Sequence, residues 1–239
     1  MKKNTSLCVL FFFMSLPLVA QQKITTVGIQ IKPIFPNSFF STVAKTAYQD
    51  GVKFDLMLGG GFSAGMIVRH GFSDLLAIES GINYTKRTFQ LQISDRKLNE
   101  ESRFRIIGYE IPINLLVYIR LSEKIFMNAS MGSCFDMFAS DVQSHDYYFS
   151  QRSYRKSLFQ PAVTGNLGWE YRTSTSGYIY LGATYHRPFS YIYTSKINYQ
   201  GNKNPIDVNL EGNYLTIDLR YFFYEDPKKK TKPRNDEIE

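Results

Sequence analysis

Residues 109–120 read Tyr-Glu-Ile-Pro-Ile-Asn-Leu-Leu-Val-Tyr-Ile-Arg. Tyr109, Ile111, Ile113, Leu115, Val117 and Ile119 alternate there with Glu110, Pro112, Asn114, Leu116, Tyr118 and Arg120. Successive side chains of an extended chain point to opposite faces, so this run is a strand with one apolar face and one mixed polar face. Pro112 has no amide hydrogen to give a ladder and implies a local irregularity in an otherwise long run. The pattern returns near the C-terminus, where Leu215, Ile217, Leu219, Tyr221 and Phe223 oppose Thr216, Asp218, Arg220 and Phe222. Period-two segments recur near 24–34, 56–70, 75–93, 104–121, 124–139, 158–173, 177–194 and 208–224, and helical three-four spacing is sustained nowhere.

The connections between these segments alternate in length. Those at 35–55, 94–103, 140–157 and 195–207 are long and polar, while those near 70–74, 121–123 and 173–177 are short. Outer-membrane barrels have an even number of antiparallel strands, short turns at one rim and longer loops at the other. The expected fold is therefore all-β: an eight-stranded antiparallel up-and-down transmembrane β-barrel over residues 21–224.

Alternation alone does not say which face is inside. Gly28, Gly61, Gly65, Gly81, Gly108, Gly132, Gly168 and Gly182 fall on the polar face, with Gly165 the exception. Glycine in a strand marks tight quarters, and the lumen of an eight-stranded barrel is only wide enough for side chains to fill. The polar face is therefore expected inside. It carries Lys32, Arg69, Glu79, Arg87, Glu110, Arg120, Glu170, Arg172, Asp218 and Arg220, which are expected to pair as a charge network plugging the lumen. The apolar face, with residues such as Ile29, Met66, Ile82, Leu167, Trp169 and Leu181, faces lipid. Tyr84, Tyr109, Tyr171, Tyr185 and Tyr221 sit toward segment ends on that face, as interfacial aromatic girdles do.

Lys2 and Lys3 followed by an apolar stretch over 7–20 predict a cleaved export signal at 1–20. Its removal leaves one thiol, Cys134, so no intramolecular disulfide is expected. The modest basic excess is spread along the chain without a nucleic-acid-binding motif, and no nucleic-acid partner is expected. Residues 225–239 are charged and are expected to form a disordered periplasmic tail.

The stretches at 109–121 (YEIPINLLVYIRL), 76–88 (LAIESGINYTKRT) and 212–223 (GNYLTIDLRYFF) resemble the small outer-membrane β-barrels common in Bacteroidetes, the PorT-like group. The last strand departs from the usual pattern, with Asp218 where a glycine is typical. The resemblance implies the fold and an outer-membrane location in a Gram-negative bacterium, with loops extracellular and both termini periplasmic. Outer-membrane lipid, lipopolysaccharide and the insertion machinery would then be its surroundings, and an envelope protein its partner. Roles within the group vary, secretion-system parts among them.

For chemistry the sequence offers little. Neither metal-ligand spacing nor a phosphate-binding or dinucleotide glycine motif is visible, so no cofactor and no metal are expected. His186 and Ser190 lie four apart, about 13 Å along a strand, too far for a base to activate the hydroxyl unless Pro188 bends the chain. Loops are where binding residues concentrate, and His145, Tyr147, Tyr148, Phe149 and Arg152 form a dense aromatic and basic group in the third one. The expectation is a non-enzymatic barrel acting through its outer loops, as a structural, surface-interaction or envelope-complex protein. A lipid A-modifying enzyme using His186 and Ser190, and a soluble exported lipocalin-like barrel with its apolar face inward, stand as alternatives.

Overall fold

The computed structural model describes residues 25–36, 45–95, 99–145, 147–173, 175–200 and 204–224. The export signal at 1–20 and the tail at 225–239 lie outside the described residues. Thirteen strands are present among them: β1 (Thr25–Phe35), β2 (Lys45–Gln49), β3 (Val52–Gly71), β4 (Leu76–Ser94), β5 (Asn99–Arg120), β6 (Ile125–Phe138), β7 (Val142–His145), β8 (Phe149–Arg155), β9 (Phe159–Arg172), β10 (Tyr178–Pro188), β11 (Tyr193–Tyr199), β12 (Ile206–Leu210) and β13 (Tyr214–Phe222). Eight of them form an antiparallel wall in the order β1-β13-β10-β9-β6-β5-β4-β3. β1 pairs back onto β3, from Thr25 against His70 to Ile34 against Gly61, and closes the barrel. The fold is the up-and-down transmembrane barrel expected from the alternation.

The wall is uneven. β3, β4 and β5 run to 20, 19 and 22 residues, whereas β1, β10 and β13 have 11, 11 and 9. Three of the four long connections, expected as polar loops, carry five more strands. β2 hairpins onto β3, and β7, β8, β11 and β12 form a separate four-stranded sheet in the order β12-β11-β8-β7. This second sheet caps the tall end of the barrel.

Polarity reverses along the tall strands. In the lower part of β4 the outward residues are Ile78, Ile82 and Tyr84, and the inward ones Glu79, Asn83 and Thr85. Higher on the same strand the outward residues are Lys86, Thr88, Gln90 and Gln92, and the inward ones include Phe89, Leu91 and Ile93. β5 does the same: Ile111 to Ile119 face out below, while Arg103 and Arg105 face out above with Phe104 and Ile106 buried. The turnover is marked by Phe62, Tyr84 and Tyr109, whose rings touch in sequence at 6.0 Å centroid separations. Below it the outside solvent is hydrocarbon, and above it the solvent is water. At about 3.4 Å per residue and a strand tilt of about 40°, the apolar outer face of β5 from Tyr109 to Ile119 is about 26 Å tall, the height of an outer-membrane apolar band.

Above the turnover the barrel interior is an apolar core. Val52, Phe54, Leu56, Phe89, Leu91, Ile93, Phe104 and Ile106 on the wall pack against Phe149, Ile192, Tyr193, Ile197, Val208 and Leu210 of the cap. β3 joins the two regimes through a bulge at Leu58/Gly60, where Gly60 takes φ +117°, a conformation that favours glycine. The extra residue switches the inward set from even positions above to odd positions below, so Leu58 and Ser63 both point inside.

Candidate functional site

Two clusters of paired charges fill the lumen at membrane level. In the lower one, Arg69 pairs with both Glu79 (Nη2–Oε2 3.0 Å) and Glu170, and Arg220 pairs with Glu79 (2.7 Å) and Asp218 (2.6 Å). Arg172 donates to Glu170 at 2.6 Å from the lower mouth, and Lys32 lies 3.9 Å from Asp218. Asp218 also accepts from Thr184 and Thr216, both at 2.6 Å, and from Asn166 at 3.2 Å. Asp218 is thus a hub of the network. Arg69 lies 3.9 Å over the Phe222 ring, and Arg220 4.7 Å over Tyr180. The Tyr180 ring in turn occupies space that Gly168 and Gly182 leave open, since a Cβ on either would collide with its hydroxyl.

The upper cluster lies under the cap. Arg87 donates through Nη2 to Glu110 (2.9 Å) and Asp136 (3.3 Å), and Tyr214 donates to Glu110 at 2.6 Å. His186 Nε2 lies 3.0 Å from Asp136 Oδ1, and its ring stacks on Tyr214 with centroids 4.6 Å apart and planes 13° off parallel. Cys134 sits beside them, its thiol 3.5 Å from Asp136 Oδ1.

Nine of the ten lumen charges expected from sequence are thus brought into one or other cluster. Arg120 is the correction. It is exposed at the last position of β5, where the strand leaves the barrel, and its Nε donates to the Ser122 carbonyl instead. Asp136, His186 and Tyr214 were not expected in the network. Asp136 follows Asn128, Ser130, Gly132 and Cys134 on the inward face of β6, and that alternation is the signal that places it.

The cap presents the second candidate surface. A pocket of about 200 Å³ is lined by His145, Tyr147, Tyr148, Phe149, Ser150, Asn198, Tyr199 and Gln200. Tyr147 is 77% exposed and meets Tyr148 edge-on at 4.9 Å. Phe149 is a correction, because it is buried in the cap core at 3% exposure and offers a surface partner no more than a floor to this pocket. Arg152 lies elsewhere, on the outer face of the cap sheet over the Tyr154 ring at 5.0 Å. The cap is tied to the rim by Arg155 Nη1, which donates to the Phe138 and Ala139 carbonyls, and by Tyr193, which donates to the Ser140 carbonyl at 2.8 Å. Burial pushes the Tyr193 phenol up to about 12, against the pull of nearby Arg155.

The hydrolase pairing is not assembled. His186 faces the lumen and bonds Asp136, whereas Ser190 is exposed past the end of β10 and donates to the Tyr191 carbonyl.

No family model matches the chain, and no curated protein matches it in sequence. Among solved structures it is similar to the outer membrane protein OprG from Pseudomonas aeruginosa, with a TM-score of 0.56 and 15% identity over 84% of this chain and 96% of that one. It also aligns, more loosely, with the E. coli outer membrane protein W (TM-score 0.37, 12% identity, 85% of this chain and all of that one) and with the outer membrane protease OmpT from Escherichia coli (0.34, 9%, 87% and 99%). The first likeness carries the fold, that of small outer-membrane β-barrels.

Proposed function

We propose that the protein is a non-enzymatic barrel of a Gram-negative outer membrane that holds a folded cap outside the cell, and that the cap acts by binding a surface or envelope partner. The observation that carries this reading is the closure of the barrel. Ion-pair layers fill the lumen, and a packed apolar core seals it above. Eight strands leave room for side chains but not for a water column, which argues against a pore. The exposed ring of Tyr147 and the pocket beside it form an aromatic surface suited to polysaccharide or protein, and Arg152 adds a separate cation on the outer face of the cap sheet. Both ends of the wall near Thr25 and Phe222 lie at the short-turn rim, which fits periplasmic termini and an extracellular cap. The PorT-like resemblance is compatible with such a role in an envelope complex.

A lipid A-modifying enzyme is disfavoured by the separation of His186 from Ser190. The outward apolar band disfavours a lipocalin-like soluble barrel. The test is proximity cross-linking in intact cells from a photoreactive group at Tyr147. A discrete envelope protein or polysaccharide adduct, lost when the group is moved to Phe62 in the lipid-facing band, supports the reading. Labelling of lipid alone from both positions contradicts it.

A further inference from the structure

Cys134, Asp136 and His186 are buried together, and their ligand atoms all lie within 4.8 Å of one another. Two come from alternate inward positions of β6. The third crosses the lumen side of β9, where the inward residue Ala162, register partner of Cys134, is small and fully buried. Asp136 divides its two oxygens. Oδ2 faces Arg87, while Oδ1 faces both His186 Nε2 at 3.0 Å and the Cys134 thiol at 3.5 Å. A tetrahedral zinc site with bonds of about 2.0–2.3 Å has neighbouring donors about 3.2–3.8 Å apart, so the two spacings to Asp136 Oδ1 are close to those of a ligand set, and Cys134 and His186 lie within 4.8 Å of each other. Arg87 orients the carboxylate through its other oxygen and Tyr214 fixes the imidazole plane by stacking, while His186 Nδ1 has no hydrogen-bond partner among the described residues. Gln160, opposite Asp136 in the register, has an amide oxygen with no hydrogen-bond partner among the described residues.

We propose that Cys134, Asp136 and His186 form a structural site for a zinc-like divalent cation, fastening β6 to β10 beneath the cap. Thiolate, imidazole and carboxylate are the donors such a borderline cation takes, whereas magnesium and calcium prefer all-oxygen sets. Binding converts the Cys134 thiol to a thiolate with loss of its proton to solvent; the proton that His186 Nε2 shares with Asp136 moves to Nδ1, and the cation replaces that hydrogen bond with two metal–ligand bonds. The apolar core above and the ion-pair layers below seal the position, so the cation enters as the barrel folds and leaves only when it unfolds.

The test uses full-length protein extracted from membranes in mild detergent without chelator, and the same protein refolded from denaturant with Co²⁺. The native protein is expected to hold about one equivalent of zinc-like metal that resists chelator until the barrel is unfolded. The cobalt form is expected to show thiolate-to-cobalt charge-transfer absorption. Cys134→Ser removes that absorption, and His186→Ala weakens cobalt binding about tenfold or more. Heat-modified gel mobility, which reports barrel closure independently, identifies the folded fraction on which each variant is read. The charge-transfer measurement on the unaltered chain needs no variant at all. Metal-free native protein with no thiolate absorption after refolding overturns the proposal, and so does metal that Cys134→Ser retains undiminished.

Discussion

At Arg69 one guanidinium answers two buried carboxylates, Glu79 and Glu170, and all three are nearly inaccessible. Removing one partner of a buried ion pair strands the charge left behind. Arg69→Met is therefore expected to destabilise the folded barrel by about 3–5 kcal/mol, read from urea unfolding in detergent. An unchanged midpoint would mean that water already reaches the two carboxylates. At Gly182 the constraint is steric, because a methyl group would meet the Tyr180 phenol and the Leu167 carbonyl. Gly182→Ala is expected to cost about 1–3 kcal/mol in the same assay, despite the gain in strand preference that alanine brings. The alternation made most of these lumen residues legible in the sequence, with Arg69, Glu79, Arg87 and Glu110 all falling on the inward face. Arg120 misled because parity says which face a residue takes but not whether the barrel still encloses it at that height. His186 and Asp136 are 50 residues apart and meet only through closure of the wall, which no local pattern encodes.

The cap is an element with its own core. Ile192 and Ile93 are buried between the cap and the tall strands, and truncating either to alanine is expected to cost the cap about 2–5 kcal/mol. Because the wall below keeps its full hydrogen-bonded closure, Ile192→Ala should become open to protease within β7–β8 and β11–β12 while the barrel keeps its heat-modifiable mobility. Loss of both together would show that cap and barrel fold as one unit. Alkaline pH probes the same element. Since the folded-state pKa of Tyr193 is raised to about 12 from an ordinary value of about 10, its neutral form stabilises the cap fully below about pH 10. That contribution falls as pH climbs from about 10 to about 12, so cap protection against protease should decline in this window, and less steeply in Tyr193→Phe. The cap strands were hidden in the sequence for two reasons. β7 and β12 are only four and five residues long, and the inward face of β8 carries Gln151 and Ser153, bonded to Ser195 on β11, where an apolar alternation would have stood out.

For the whole molecule, the governing feature is that strands such as β4 and β5 exchange their apolar face halfway up. Period two persists through the exchange, which is why the wall was readable from sequence, and strand length already implied upper ends clear of the lipid, while the exchange of faces itself was not legible. Ion pairs fill the lumen among the described residues and an apolar core lies above them, so planar bilayers containing the protein are expected to show no large, steady conductance. The most direct test of the account is labelling along the outer face of β4 in native membranes, with Ile78→Cys, Ile82→Cys, Thr88→Cys and Gln92→Cys introduced singly; the native Cys134 is buried. The cysteines at 88 and 92 are expected to react with a membrane-impermeant maleimide, and those at 78 and 82 only with a lipid-soluble reagent. Ready aqueous labelling at 78 and 82 in the folded, membrane-embedded protein would contradict a hydrocarbon-facing band below Tyr84.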